Sequence, residues 1–196
     1  MSALPKEKYI SDEEYLIMER VSPVKHEYFN GEIFQMAGSS EEHANISSNI
    51  NASLHLQFRK RPCKTYQSDL RVHIPKTGLY TYPDVVVVCG KPQLLDDAYL
   101  DTLLNPVLIV EVLSPSTADY DKGAKFEHYR TIDSLQEYVL VWQDKKRLAR
   151  YTKQTDGSWV LRDFIGEEAE IVLSSIDCSL TMDDIYDKVE FEAEQG

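Results

Sequence analysis

The stretches YPDVVVV (residues 82–88) and PVLIVEVLSPS (residues 106–116) are short apolar runs, and each carries one carboxylate. Runs of this length without polar alternation read as strands buried on both faces. Asp84 stands at the mouth of four consecutive valines. Glu111 interrupts an aliphatic run. Strand side chains alternate faces, so Val107, Ile109, Glu111 and Leu113 share one side, with Leu108, Val110 and Val112 on the other. An isolated buried carboxylate is strongly disfavoured, so each acid must be neutralised, paired or bound to a cation.

Upstream, Ser11 with Glu14 forms a capping-box pattern and predicts a helix over 11–20. HEYFNGEIFQM reads as a hairpin about Asn30-Gly31, the pair that suits a type I′ turn. Ser39 with Glu42 opens a second helix over about 40–60, whose stripe is Ile46, Ile50, Leu54 and Phe58. Alternation in KTYQSDLRVHI predicts one strand over 64–74, and GLYTY leads into the valine strand at 82–89. The segment 90–105 is a polar-bounded connection. Beyond the strand at 106–113, the pattern predicts a helix over about 119–131, a strand at 137–142, an antiparallel pair around Asp156-Gly157 and a terminal helix over TMDDIYDKV. Consecutive strands argue for a mixed sheet. The helix between the strands at 106 and 137 argues for one right-handed parallel crossover. The fold class is therefore α/β (α+β), a central mixed β-sheet flanked by helices, with an N-terminal helix and β-hairpin.

The chain's 196 residues suit a single domain over 1–182, followed by an acidic tail over 183–196. That tail holds six acids and one lysine, a charge of −5, which leaves −7 of the total −12 for the rest. It reads as a solvated end. A net charge of −12 repels a polyanion rather than gripping it unspecifically. RKRPCK, with Arg59, Lys60, Arg61 and Lys64, is a compact basic cluster that suits either a helix C-terminus or a phosphate contact. No apolar run is long enough to span a bilayer, and residues 1–16 lack the apolar core of a signal peptide. Cys63, Cys89 and Cys178 are odd in number and form no CxxC, which argues against a disulfide framework or a thiolate zinc site. The expected setting is reducing and cytoplasmic.

Two carboxylates converging from adjacent strands repel each other unless a cation sits between them. Oxygen donors of this kind suit a hard divalent ion, Mg²⁺ or Mn²⁺. Such an ion can orient a phosphodiester, polarise it and activate water. The structural alternative gives each acid a protein cation, Arg71 or Lys125. No P-loop, HExxH or Gly-rich dinucleotide fingerprint is present, and Ser114 and Ser116 lack the context of a hydrolase nucleophile.

An acid after proline on one strand, followed 27 positions later by an acid on the next, resembles the PD-(D/E)xK nuclease superfamily. KHEYFNGEIFQMAGSSEEH, YPDVVVV, LIVEVLSPST and DKGAKFEHYRTIDSLQEYVLV, in this order, resemble the Uma-type putative restriction endonuclease family from about Tyr15 to Trp142. The resemblance implies a restriction-endonuclease-like core and metal-dependent cleavage of DNA. It matches Asp84 to the first acid and Glu111 to the second. The superfamily's lysine belongs two residues after the second acid, where this chain has Leu113. Lys125, one helical turn before Tyr129, is the candidate replacement, with Lys122 in reserve; the other reading of Lys125 is a surface lysine pairing with Asp121, four residues earlier. The implied catalytic residues are Asp84, Glu111, Lys125 and His43. The implied metal ligands are Asp84, Glu111, Val112 and Glu27, with Mg²⁺ or Mn²⁺ as the cofactor. His43 lies on the inward face of its helix, where a hydrogen-bonded core histidine is the other reading. Asp69, Gln67 and Arg71 lie on the strand expected beside Asp84, and Asp69 is the one of the three placed at the cleft.

Three functions follow as expectations: a Mg²⁺-dependent endonuclease, a nuclease-fold binding or assembly module that lost its lysine, and a two-carboxylate glycosidase. DNA is the expected substrate. A homodimer is expected by analogy with nucleases that cut both strands.

Overall fold

The protein is described by a computed structural model covering residues 9–115, 117–166 and 170–191. Helix α1 (Asp12–Glu19) is capped by Ser11 in the expected reciprocal box with Glu14. Strands β1 (His26–Phe29) and β2 (Glu32–Gln35) form the hairpin, and both turn residues, Asn30 at φ 51° and Gly31 at φ 86°, adopt the left-handed conformation that a type I′ turn demands. Helix α2 (Glu41–Gln57) starts one residue later than expected, because Ser40 rather than Ser39 accepts the capping bond, from the His43 N–H.

The expected strand over 64–74 is two strands in different sheets. Strand β3 (Cys63–Gln67) ends where a turn closes from the Leu70 N–H to the Gln67 carbonyl, and β4 (Arg71–Ile74) begins after it. Ser68 and Asp69 are turn formers, and here they override the alternating pattern. Strand β5 (Leu79–Thr81) is separated from β6 (Val85–Cys89) at Pro83, which has no N–H to donate to a ladder. The connection after β6 contains β7 (Thr102–Leu103), which pairs with β4. After β8 (Leu108–Leu113) come two short helices instead of one, α3 (Ala118–Lys122) and α4 (Ala124–Tyr129), meeting at Gly123.

Strands β9 (Glu137–Trp142), β10 (Arg147–Lys153) and β11 (Trp159–Ile165) follow. An additional hairpin, β12 (Glu170–Leu173) and β13 (Cys178–Thr181), precedes α5 (Met182–Ile185). Its strands are four residues each, too short to stand out from the surrounding polar sequence.

The main sheet has the order β11-β10-β9-β8-β6-β3, with β8 and β9 parallel and the other pairs antiparallel. A second sheet, β2-β1-β5-β4-β7, packs alongside. Val85 and Val87 join the core under α2 and α5, while Val86 and Val88 join the core containing α4 and β4. Both faces of the sheet are covered, which explains four valines in a row. Each contributes about 1.5–3 kcal/mol on burial.

The C-terminal stretch expected to be solvated is anchored as far as Phe191. Ile185 and Tyr186 are buried, and Val189 and Phe191 pack on the same core. The apolar residues between the acids hold it down. Residues 192–196 of the acidic tail lie outside the described residues, as does Ser116.

The expectation drawn from the cysteines is overturned. The β3–β6 register sets Cys63 directly opposite Cys89, and the two form a disulfide, leaving Cys178 free and buried. Cysteine count and spacing cannot report a cross-strand register, so cysteine usage no longer argues for a reducing compartment. Among the described residues, no helix is long and apolar enough to cross a membrane.

Candidate active site

Strands β6 and β8 run antiparallel with Val85 opposite Val110, so one step further Asp84 comes opposite Glu111. Their side chains share the face of Val86 and Ile109. The Val112 N–H donates to Asp84 Oδ2 at 2.7 Å, and the Asp84 N–H reaches Glu111 Oε2 at 3.4 Å. The two acids of the opening motifs therefore meet at one end of the main sheet. A cleft of about 370 Å³ opens there, lined by Glu27, His43, Asp84, Glu111, Asp121 and Lys125 among others.

Lys125 arrives from α4 beside Glu111. Its Nζ lies 2.9 Å from Glu111 Oε1, 3.1 Å from Glu27 Oε1 and 3.5 Å from Asp121 Oδ1. Lys122 turns elsewhere, its Nζ lying over the Trp142 ring. The structural pairing of Lys125 with Asp121 and its placement beside Glu111 are both realised, because α3 and α4 bury the two residues together. His43, on the first turn of α2, sets Nε2 2.8 Å from Asp84 Oδ1. Glu27, on β1, is held by Lys125 and by the Thr81 hydroxyl, which donates to Oε1.

Asp69 does not join the site. It is exposed and pairs with Lys25. Arg71 is buried in a separate network with Thr102, Tyr82 and Asp101, so it is not the counter-ion of either strand acid. The basic cluster lies at the other end of α2, about 25 Å from His43 at 1.5 Å per residue. Its Arg61 is spent on the Ile176 and Asp177 carbonyls.

Three participants were not foreseen. Tyr129 donates its hydroxyl proton to Glu111 Oε1 at 2.7 Å. Asp121 is a fourth acid of the cleft, buried like Glu111, and legible only as a partner for Lys125. Gln143 lines the cleft with a buried Oε1 and adds to the rise of His43. As the residue directly after a buried strand, it carried no signal in the sequence.

Four carboxylates share the cleft with one ammonium, which pairs with three of them, so negative charge is in excess there. Burial pushes Glu111 up to about 8, against the pull of Lys125 and with Asp84 and Asp121 adding to the rise. Burial likewise raises Asp121, opposed by Lys125. Burial would lower Lys125, but Glu111, Tyr129, Glu27 and Asp121 together hold it well above its ordinary value. Burial would lower His43, but its hydrogen bond to Asp84 and the nearby charges of Asp84 and Glu111 together raise it. All four directions say that the cluster holds protons more tightly than its parts would in water. It lacks positive charge.

A hard divalent cation fits that deficit. Asp84, the Oε2 side of Glu111 and the Val112 carbonyl are the oxygens that could hold it. Glu27, whose Oε1 is taken by Lys125 and Thr81, could join through Oε2. Among the described residues, no three His, Cys, Asp or Glu side chains already form a set able to hold an ion. The donor set thus suits an ion that keeps several of its waters, as Mg²⁺ does.

The model of the Uma2 family, described as "Putative restriction endonuclease", matches residues 12–183. The chain is 38% identical over 174 residues to the uncharacterized protein sll1609 of Synechocystis sp. (strain ATCC 27184 / PCC 6803 / Kazusa), covering 89% of this chain and 98% of that protein. It is also 38% identical over 177 residues to the uncharacterized protein slr1290 of the same organism, covering 90% of this chain and 91% of that one. A crystal structure of a putative nuclease belonging to DUF820 from Anabaena variabilis ATCC 29413 superposes with a TM-score of 0.73 at 19% identity, covering 89% of this chain and 96% of the other. That likeness establishes the restriction-endonuclease-like fold.

Proposed function

The chain belongs to the Uma2 restriction endonuclease family, and from that premise we propose that it is a divalent-metal-dependent endonuclease hydrolysing DNA phosphodiester bonds in the cleft at Asp84 and Glu111. The observation that carries this reading is Lys125 Nζ at 2.9 Å from Glu111. It restores, from a helix, the cation that Leu113 omits from the strand. Leu113 was the motive for a non-catalytic module, and that motive weakens once a lysine stands beside Glu111.

When bound, a Mg²⁺ or Mn²⁺ ion would polarise the phosphodiester and lower the pKa of water. The residues around it have separable tasks. Lys125 offers an ammonium fixed by three carboxylates, placed to stabilise negative charge that develops on the phosphate oxygens in the transition state. Because its partners hold it charged, it serves as an electrostatic donor and not as a base. Tyr129 and Lys125 fix Glu111 Oε1 from one side, which leaves Oε2 for the cleft. The Val112 N–H aims Asp84 in the same way through Oδ2. His43 sits on Asp84 Oδ1 as the group able to hold or pass a proton near the leaving oxygen. Fixed geometry of this kind supplies catalysis by orientation as well as by charge.

The test is nicking of supercoiled plasmid by wild type and Asp84→Asn, with Mg²⁺ or Mn²⁺ and with EDTA as the blank. Wild type should nick only with the metal, and the variant should be slower by at least about 100-fold, as when one preorganised group is removed. Equal nicking by both folded proteins would sink the proposal. Nucleases that cut both strands commonly pair two such sites, so a homodimer belongs to this reading by analogy, and sedimentation velocity checks it.

A further inference from the structure

The chain carries a net charge of −12, yet a group of cations lies at the same end of the main sheet as the cleft. β9 ends in Trp142, and the turn into β10 reads Gln143-Asp144-Lys145-Lys146-Arg147. Lys122, the last residue of α3, sets its Nζ 5.3 Å from the Trp142 ring centroid, and Arg147 sets its guanidinium carbon 4.4 Å from it. One indole thus gathers a cation from α3 and another from β10. Lys122 follows Asp121 in sequence and Trp142 precedes Gln143, and both Asp121 and Gln143 line the cleft. The group therefore adjoins two residues of the cleft wall along the chain. Trp142 pairs with Leu113, two residues beyond Glu111.

Neighbouring strands lie about 4.8 Å apart, so the ends of β9 and β10 are about 5 and 10 Å from the end of β8 that bears Glu111. Those steps are comparable to the spacing of successive phosphates along a nucleic-acid strand. Arg147 shares its guanidinium with Asp163 at 3.0 Å, while Lys122 has its indole contact and no carboxylate partner among the described residues. Neither cation is needed to neutralise the acids of the cleft, which Lys125 serves.

We propose that Lys122 and Arg147, held in place by Trp142, form a shelf beside the cleft that binds the phosphates of a nucleic-acid strand next to the one being cut. This deepens the endonuclease reading and rests on it. It also explains how an acidic protein can engage a polyanion: affinity comes from a few cations fixed at one edge, not from the whole surface.

The test compares wild type with Lys122→Gln/Arg147→Gln for binding of a fluorescein-labelled oligonucleotide duplex, read by anisotropy in EDTA over a series of salt concentrations. Losing two phosphate contacts should flatten the slope of log affinity against log salt by about 1.8, taking 0.9 per contact, and should weaken binding at low salt by at least about 10-fold. The pair Lys122→Arg/Arg147→Lys should keep the wild-type slope. Trp142 supplies a measurement free of any folding question: its emission in the wild-type protein should change on adding oligonucleotide, and a Trp142→Phe variant, which keeps Trp159, should lose that change. An unchanged salt slope in the Gln variant, or oligonucleotide binding that leaves Trp142 emission unmoved, overturns the shelf. Plasmid nicking by wild type in those cases leaves the endonuclease reading standing. A wild-type protein that neither binds nor nicks overturns both.

Discussion

Replacing Glu111 with glutamine should abolish cleavage and yet stabilise the metal-free protein as the pH rises. Glu111 is 4% exposed and faces Asp84, Asp121 and Lys125, and burial lifts it from 4.5 to about 8. Between those values the folded chain keeps a proton that the unfolded chain has released. The associated stability is present in full below the unfolded value and is lost as pH rises through the folded one. One proton is worth at most about 1.4 kcal/mol per pH unit, which sets a ceiling of about 5 kcal/mol over the window. Relaxation of the cluster and entry of water return part of that, so a loss of about 2 kcal/mol by about pH 8.5 is the expected size. The glutamine has no proton to lose, and its amide oxygen can still accept from Tyr129. Lys125 keeps Glu27 and Asp121. Urea unfolding at steps from about pH 5.5 to pH 8.5 in EDTA, followed by tryptophan fluorescence, would read the difference. His43 is also raised and carries a pH dependence of its own, so the quantity to follow is variant minus wild type. That difference should climb with pH, and added Mg²⁺ should stabilise only the wild type. Parallel lines, with the variant weaker by the same amount throughout, would refute the reasoning and make Glu111 the charged half of a structural ion pair.

Lys125→Met removes the one ammonium shared by the buried Glu111 and Asp121 and the half-buried Glu27, so it should cost about 3–5 kcal/mol in urea unfolding and eliminate nicking even where the fold survives at low temperature. A variant as stable as wild type would mean that the cluster carries no excess negative charge. The cross-strand disulfide predicts one free thiol in the native protein and three after reduction under denaturing conditions, by mass-resolved alkylation. Closing a loop of 26 residues, it should contribute about 3 kcal/mol, so Cys63→Ser/Cys89→Ser should lower the urea midpoint without changing nicking.

What the sequence made legible was local or set by parity. Ser11 with Glu14 and Asn30 with Gly31 are contacts within three residues, and the structure keeps both. The runs at 85–88 and 108–113 required a sheet covered on both faces, and Asp84 and Glu111 could be placed on one side of it because alternation in a strand is rigid. Partition of the strands between two sheets was not legible. The break at Ser68-Asp69 moves Arg71 from the neighbourhood of Asp84 into a different sheet, and nothing within ten residues of that turn encodes which partner each half will find. The cysteines failed for the same reason, since position 63 opposes position 89 only after β3 and β6 have set their register.

Lys125 shows where the boundary between legible and hidden lies. From sequence it was either an exposed partner of Asp121 or a migrated lysine beside Glu111, and these looked like alternatives. They exclude each other only if the helix bearing both residues lies on the surface. Folding puts α3 and α4 against the end of β8, so Asp121 comes inside with Lys125 and turns an ordinary i,i+4 pair into part of a charged cavity. Burial changes the meaning of the pair: at the surface it is worth a few tenths of a kcal/mol, whereas in the cleft its surplus negative charge creates the need for a further cation. The same logic separates the two basic clusters. RKRPCK stands out in sequence but lies at the far end of α2. Lys122 and Arg147 stand 25 positions apart and become a pair only because Trp142 ends a strand between them. A charge acts through where the fold holds it, and Lys122 and Arg147 are cations that the fold brings to the end of the sheet where the cleft lies.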